Sequence, residues 1–324
     1  MSLPTPLLPW QAPVWKALLG RMQSQRLPHA LLFHGPPGVG KTQCAQLFAQ
    51  ALLCRDPKQA PCGQCKSCLL FQAQAHPDYL SIEPEESGKA IRIDQIRALS
   101  AFLSQTAQQG GRKCIVLGPA DALNQNASNA LLKSLEEPPP DTNFILVTSA
   151  PSLLSATIRS RCQFVVFHTP ELAQSQAWLE NQDITASQAQ IALKNAFGAP
   201  LTALSHLQSG HLQQQEALAK QLRDLAAGNA SLVDVAKQWL GIEPLTIVDT
   251  LFQWLNVAAR ARWELVDSHL VSSPIRQDLN PSALFQLQTK VFQVKSLLLS
   301  SANPNKQLLW EDLLLDWVKV AGAR

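Results

Sequence analysis

One glycine-rich run, Gly-Pro-Pro-Gly-Val-Gly-Lys-Thr, constrains this chain of 324 residues more than any other segment. An apolar run from Ala30 to His34 precedes it, and apolar residues at helical spacing follow it to Cys54. A strand, a glycine-rich loop and a helix in this order are typical of a phosphate-binding loop, whose N–H groups surround phosphates. In such a loop Lys41 contacts the β and γ phosphates and Thr42 binds Mg²⁺. The sequence therefore predicts an ATP or ADP site with Mg²⁺ at Gly35, Pro36, Pro37, Gly38, Val39, Gly40, Lys41 and Thr42.

The acids that ATP hydrolysis requires are missing from the expected place. ATPases with this loop usually carry an Asp, often followed by a Glu, at the end of a neighbouring strand. The apolar run from Lys113 to Leu117 predicts that strand, but Gly118 and Pro119 follow it. Asp121 is either a displaced metal ligand or, as we favour, a residue that caps the following loop or faces solvent. We therefore predict a chain that binds a nucleotide without hydrolysing it.

The cysteines indicate a metal site. Four of the seven lie close together in sequence, namely Cys54, Cys62, Cys65 and Cys68. Two consecutive two-residue gaps and a fourth thiolate from the end of the preceding helix predict a closed, structural Zn²⁺ site. An iron–sulfur cluster is the alternative, because ferredoxin spacing is similar, and four unliganded thiols are the least favoured interpretation. The others, Cys44, Cys114 and Cys162, lie in apolar surroundings and are predicted to be small core residues.

The first half of the chain alternates strand and helix patterns, which predicts a parallel α/β sheet. The predicted strands are Ala30–His34, Tyr79–Glu83, Lys113–Leu117, Asn143–Thr148 and Gln163–Phe167. The predicted helices are Trp15–Gln25, Thr42–Cys54, Asp94–Thr106 and Ala127–Glu137, with Asp94 as an N-cap. After Pro170 helical periodicity takes over. We predict three domains, at residues 1–168 with the cysteine module at 54–68, at 169–208 and at 209–324.

Charge and hydropathy narrow the class of protein. The net charge of +3 predicts that any contact with nucleic acid is shared with partner proteins. The N-terminal segment lacks the pattern of a signal peptide, and no apolar run is long enough to span a bilayer. These features predict a cytoplasmic protein. The Trp residues of the last helix are expected in the core, since acids around them would repel phosphates, and an exposed apolar face for oligomerisation is the second interpretation.

Four elements in this order resemble the bacterial clamp-loader AAA+ family. They are the loop Gly35–Thr42, the cysteines from Cys62 to Cys68, the run Asn-Ala-Leu-Leu-Lys-Ser-Leu-Glu-Glu-Pro from Asn129 to Pro138, and Ser160-Arg161-Cys162. The resemblance extends from about Leu27 to Pro170, and the helical remainder agrees in type. It implies an AAA+ nucleotide-binding domain with an inserted zinc module, then a small helical lid domain and an all-α collar domain for oligomerisation.

The resemblance also implies a role. A subunit of this kind has no independent activity and acts in the DNA polymerase III holoenzyme, beside the gamma/tau and delta clamp-loader subunits. The complex loads the sliding clamp, beta, onto primed DNA, with no membrane involved. Arg161 would be an arginine finger for the ATP site of a neighbouring subunit. From the residues alone a surface salt bridge is an equal interpretation of Arg161, and Arg159 is the neighbouring alternative.

Departures from the family pattern keep other functions open. Many non-hydrolysing members have a degraded phosphate loop, whereas this loop is intact. The segment from Ala196 to Pro200 lacks the arginine that active members use to sense nucleotide, and Thr148 occupies the position of the first polar sensor. A hydrolysing, gamma-like ATPase would require Asp121 or an unrecognised acid. A small P-loop kinase is the third hypothesis, disfavoured because the helical half offers no obvious substrate site.

Overall fold

The five predicted strands form one parallel sheet in the computed structural model. They are β1 (Ala30–His34), β2 (Tyr79–Ile82), β3 (Lys113–Leu117), β4 (Thr142–Thr148) and β5 (Gln163–Val166). Their order is β2-β3-β4-β1-β5, and every pair is parallel. The loop after β1 therefore lies between the carboxyl ends of β4 and β5, where ligands bind in open α/β sheets. The predicted parallel α/β sheet is confirmed.

The structure describes residues 6–86, 88–109, 111–209, 211–262, 274–275, 280–299 and 304–321. The chain divides into two compact units, one of residues 1–184 with 198–202 and one of residues 185–197 with 203–324. The predicted boundaries of the three domains stay predictions. Among the described helices, none combines the length and the apolar character needed to cross a lipid bilayer.

Alternate residues of the strands pack into two separate cores, one on each face of the sheet. On β1, Leu31 and Phe33 join one core, whereas Ala30 and Leu32 join the other. All of β3 and β4 is buried, as expected of central strands covered on both faces. The near-continuous apolar character of these strands thus follows from their place in the middle of the sheet.

Helices pack on both faces of the sheet, with α2 in one core and α5 in the other. The helices of the first unit are α1 (Ala12–Gln23), α2 (Lys41–Leu53), α3 (Lys66–Gln72), α4 (Ile93–Ser104), α5 (Gln125–Glu136), α6 (Ala156–Arg161) and α7 (Leu172–Glu180). The prediction that Asp94 is an N-cap is wrong. The N-cap of α4 is Arg92, whose backbone N–H donates to Gln95 Oε1 at 3.0 Å, and Asp94 lies in the first turn. Helix α5 ends before Pro138, as the proline run predicts.

The second unit is helical, as predicted for the C-terminal half. Its helices are α8 (Ala186–Asn195), α9 (Pro200–Gln208) from residue 203 onward, α10 (His211–Ala226), α11 (Leu232–Trp239), α12 (Pro244–Arg262), α13 (Pro281–Leu299) and α14 (Lys306–Ala321). Trp310 and Trp317 of α14 are buried in the core, which confirms their predicted role. Trp239 and Trp254 join the same core, and Trp263 lies outside the described residues.

Candidate functional site

The glycine-rich loop has the backbone conformation that its glycines permit. Gly40 has a φ of 83° and stands immediately before α2, and Gly38 has a φ of 72°. A Cβ atom on Gly38 would lie 2.0 Å from Thr202 Oγ1, and one on Gly35 would lie 2.0 Å from the carbonyl oxygen of Phe167. Neither position has room for a side chain. Glycine is therefore required there both by the positive φ of the loop and by the residues that pack against it.

Lys41 is turned back onto the loop. Its ammonium donates to the carbonyl oxygens of Gly35 at 2.9 Å and Pro36 at 2.6 Å, and to Ser149 Oγ at 3.0 Å. Only 6% of Lys41 is exposed, and this burial lowers the pKa of the ammonium to about 8, against an opposing attraction from Asp121. Lys41 thus carries a proton that a bound anion would stabilise.

The N-terminal segment supports the outer side of the loop. The buried side chain of Gln11 donates to the carbonyl oxygens of Val39 at 3.1 Å and Gly40 at 2.9 Å. Trp10 donates from Nε1 to the same oxygen of Val39 at 3.0 Å, and its ring meets the ring of Trp178 edge to face. These contacts give hydrogen-bond donors to two carbonyl oxygens of the loop. Sequence reasoning missed Trp10 and Gln11, since they lie more than twenty residues before the loop.

A cavity of about 390 Å³ lies beside the loop, at the carboxyl ends of the strands. Its walls include Lys41, Thr42 and Ser149, the pair Gly118 and Pro119, and Glu83. Glu83 was predicted as the last residue of a strand, but its presence in this cavity was missed. Glu83 follows β2, and β2 pairs with β3, so the residues that follow these two strands lie side by side. The sequence does not show which strands pair, and Glu83 could therefore not be placed in the cavity from sequence.

Asp121 is half-buried, and the two interpretations of this residue, a displaced metal ligand or a residue that caps the loop or faces solvent, stay predictions. It lies in a short 3₁₀ turn from Ala120 to Ala122, and its Oδ1 accepts hydrogen bonds from Thr148 Oγ1 and, at 3.4 Å, from the N–H of Ser149. The side chain is therefore directed at the end of β4, next to the loop. Gly118 cannot easily be replaced by an acid, because a Cβ atom there would lie 3.0 Å from Val147 Cβ.

The structure brings the four predicted metal ligands together. The sulfur atoms of Cys54, Cys62, Cys65 and Cys68 all lie within 4.8 Å of one another. The separations of 3.9 Å between Cys54 and Cys65 and 4.0 Å between Cys62 and Cys68 are close to the ~3.8 Å expected for a tetrahedron with Zn–S bonds of about 2.3 Å. Cysteines that each bind a different iron of a cluster would be spread further apart. The geometry favours one ion shared by four thiolates.

Backbone N–H groups point at these sulfurs. The N–H groups of Cys62, Cys65 and Cys68 each donate to the sulfur of an earlier cysteine of the set at 3.4 Å. Burial raises the pKa of the Cys54 and Cys68 thiols, whereas the pKa of Cys65 falls to about 6 because donated hydrogen bonds outweigh its burial. A cation would offset the cost of the buried thiolates, so the donor set fits Zn²⁺.

Arg161 is the last residue of α6, which begins after the N-cap Ser155. Its Nη2 forms an ion pair with Glu136 Oε1 at 2.6 Å, and its Nη1 donates to the carbonyl oxygen of Thr157 at 2.9 Å. A third of the Arg161 side chain is exposed. Arg159 is half-buried, and its Nε has no partner among the described residues. Glu136 was not predicted as a neighbour of Arg161, because the two helices that carry them meet only in the fold.

Comparisons with known proteins give the family. The family model described as "DNA polymerase III, delta subunit" matches residues 10–171, and the one described as "DNA polymerase III, delta subunit, C terminal" matches residues 209–319. The delta' subunit of DNA polymerase III from Pseudomonas aeruginosa is 36% identical over 98% of this chain and 98% of that protein. This chain belongs to the DNA polymerase III delta' family. The Escherichia coli delta' subunit is 32% identical, over 95% of this chain and 94% of that protein.

Two further comparisons concern a tau/gamma subunit and a gamma-subunit-related protein of DNA polymerase III. The tau/gamma subunit of Haemophilus influenzae is 35% identical over 49% of this chain and 23% of that protein. A solved structure of a gamma-subunit-related protein from Thermotoga maritima covers 95% of this chain and 99% of its own, with a TM-score of 0.41 and 16% identity. The relation to delta' subunits extends over almost the whole chain, whereas the relation to tau/gamma is confined to about half of it.

Proposed function

We propose that this chain is the stator of a DNA polymerase III clamp loader: it binds ATP or ADP without hydrolysing it and completes the ATP site of a neighbouring subunit. The observation that carries the proposal is the near full-length relation to delta' subunits, which links the helical half to the sheet half in one protein. The partners would be the gamma/tau and delta subunits, with the sliding clamp and primed DNA reached through the complex. The cytoplasm is the expected location, and no membrane takes part.

The loop from Gly35 to Thr42 would hold the nucleotide phosphates. Lys41, now bonded to two carbonyl oxygens and Ser149, would transfer its N–H groups to the β and γ phosphates. Thr42 is exposed at the start of α2 and would bind Mg²⁺. Glu83 lines the same cavity and Asp121 lies at the end of β4, so either acid would be a candidate to hold the ion directly or through water.

Hydrolysis is not expected, because Gly118 and Pro119 follow β3 at the place where ATPases with this loop usually carry an Asp and a Glu. Pro119 offers neither a metal ligand nor a proton acceptor, and Asp121 is engaged by Thr148 and Ser149. The segment from Ala196 to Pro200 also lacks the arginine that active members of the family use to sense nucleotide. The bound nucleotide would then act as a structural ligand of this subunit.

Arg161 would act in the adjacent ATPase subunit. A guanidinium at a subunit interface stabilises the negative charge that develops on a transferring γ phosphate, and arginine fingers contribute on the order of 10³ to 10⁵ in rate. The side chain is partly exposed at the end of a helix, which keeps it accessible to a partner. The zinc module and the collar domain would have structural roles, in holding the sheet domain together and in oligomerisation.

The decisive experiment compares ATP binding and hydrolysis by the isolated chain and by the complex with gamma/tau and delta, in the presence of clamp and primed DNA. We expect the isolated chain to bind without turnover. Arg161→Ala should assemble normally and sharply lower turnover by the complex, because one ATP site loses its finger. Arg159→Ala is the matched control. Unchanged turnover with Arg161→Ala would exclude the finger, and robust hydrolysis by the isolated chain would instead support a motor that uses Glu83 or Asp121.

A further inference from the structure

The guanidinium of Arg161 is held by acceptors of its own chain on two sides. Nη1 donates to the carbonyl oxygen of Thr157 at 2.9 Å and to Ser160 Oγ at 3.3 Å, so the side chain is folded back over its own helix. Nη2 meets Glu136 Oε1 at 2.6 Å, and Glu136 is the last residue of α5. The two helices pack against each other, which fixes the distance between their ends.

The two acceptor sets differ in charge. Thr157 and Ser160 offer neutral oxygens, whereas the carboxylate of Glu136 carries a negative charge that offsets the positive charge of the guanidinium. Glu136 is 47% exposed and Arg161 33% exposed, so solvent weakens the pair without abolishing it. Glu137, the adjacent acid, is exposed and carries the same charge, but the ion pair of Arg161 is formed with Glu136. Glu136 is therefore the acid that sets the electrostatic state of Arg161.

We propose that Glu136 is a positioning residue that restrains Arg161 in the free chain and releases it when a neighbouring γ phosphate competes for the guanidinium. The inference rests on the proposed function of Arg161 and adds its regulation. A phosphate carries more negative charge than a carboxylate and accepts hydrogen bonds from the same planar fork, so it displaces Glu136 once the subunit interface closes. Before closure, Glu136 keeps the arginine folded onto α6 and lowers unproductive turnover.

Glu136→Gln tests this idea with little change of shape, since the amide keeps an acceptor oxygen and removes the charge. In the complete complex without clamp or DNA, we expect the basal turnover at saturating ATP to rise by up to about five-fold, the range expected for a partly exposed ion pair. Basal turnover of the unchanged complex should increase with salt concentration, because salt screens the ion pair of Arg161 with Glu136. Turnover of the variant, which lacks this pair, should increase less with salt. Glu137→Gln should behave like the unchanged protein in both measurements.

The double variant Glu136→Gln with Arg161→Ala separates this inference from the proposed function. If Glu136 acts through Arg161, the double variant should match Arg161→Ala alone. If Arg161→Ala lowers turnover but Glu136→Gln leaves basal turnover unchanged or reduces it, the restraint proposed here is excluded while the finger stands. If Arg161→Ala has no effect, the finger itself is excluded, and the role of Glu136 falls with it.

Discussion

At the scale of single residues, the candidate nucleotide site brings together one buried cation and the acids near it. Lys41 is nearly buried and uses carbonyl oxygens of its own loop as partners, while Asp121 lies close enough to attract it. The loop residues and Lys41 were predicted from sequence. Glu83, Ser149 and Gln11 were not, because each reaches the loop from a distant part of the chain.

We expect Lys41 to make the proposed binding of nucleotide depend on pH. Burial lowers the pKa of its ammonium to about 8 in the free chain, and bound phosphates would raise it again. Below pH 8 Lys41 is charged in both states, so affinity should be constant. Above pH 8 Lys41 of the free chain loses its proton, and the chain must take a proton up from solution when it binds ATP. The affinity for ATP should therefore fall about tenfold between pH 7 and pH 9.

Calorimetric titration of ATP at the two pH values, in buffers of different ionisation enthalpy, measures both the affinity and the proton uptake. Lys41→Arg is the control, since a guanidinium stays charged throughout this range and should remove the pH dependence. An affinity for the unchanged chain that is equal at pH 7 and pH 9, with no proton uptake, would contradict the assignment of Lys41 to the phosphates.

We expect that adding a single acid at Gly118 would not give this chain ATP hydrolysis. The Cβ atom of Gly118→Asp would lie 3.0 Å from Val147 Cβ, so the strand end must shift before the carboxylate can reach the cavity. We expect the variant to be destabilised by about 1–3 kcal/mol, as for other overpacked sites, and to hydrolyse no more ATP than the unchanged chain. Chemical denaturation measures the loss of stability, and a phosphate-release assay measures the rate of ATP hydrolysis. Turnover by this variant alone would show that the site lacks only one carboxylate.

At the scale of elements, the cysteine module joins α2 to the sheet. Helix α3 was not predicted, because its seven residues are too short to display periodicity and its N-cap is the ligand Cys65. Ser67 of α3 donates to the carbonyl oxygen of Leu53 and contacts His76 at 2.7 Å. A metal would therefore fix the end of α2, the start of α3 and the chain leading to β2 in one arrangement.

Removing one ligand should release the metal and loosen this module. We expect the unchanged chain to contain about one Zn²⁺, as a four-thiolate site requires, and Cys65→Ser to contain almost none. The variant should unfold at a lower temperature, since structural zinc contributes directly to folding. Elemental analysis and thermal denaturation measure both effects. Cys162→Ala, which removes a buried thiol outside the cluster, should keep its zinc. Iron with sulfide in the unchanged chain would instead establish a cluster.

At the scale of the whole molecule, the helical unit has its own core and leaves large apolar side chains outside it. Trp239, Trp254, Trp310 and Trp317 pack inside, and the rings of Trp239 and Trp310 meet edge to face. On α13, by contrast, Phe285 is 69% and Phe292 is 61% exposed. Seven residues separate them, so they lie on one side of the helix. A single exposed phenylalanine is unremarkable, but a pair on one face is typical of a surface that contacts another protein.

We expect Phe285→Gln combined with Phe292→Gln to weaken assembly with gamma/tau and delta, because the collar proposed for this unit would lose apolar contact area. The melting temperature of the isolated chain should hardly change, since neither ring belongs to the core. Analytical ultracentrifugation measures the assembly of the complex, and calorimetry measures the melting temperature of the isolated chain. Leu153→Gln, which changes an equally exposed residue of the other unit, is the control. Normal assembly of the double variant would exclude this face of α13 from the collar.

The sequence by itself determined the five parallel strands, the helical second half, the phosphate loop and the four clustered cysteines, because each is encoded by local periodicity or by spacing within one segment. Only the tertiary structure decided which distant residues meet. It placed Glu83 beside the end of β3, turned Asp121 toward Thr148, and paired Arg161 with Glu136. These contacts depend on the order of strands and on how helices pack, and neither is written in any single stretch of the chain.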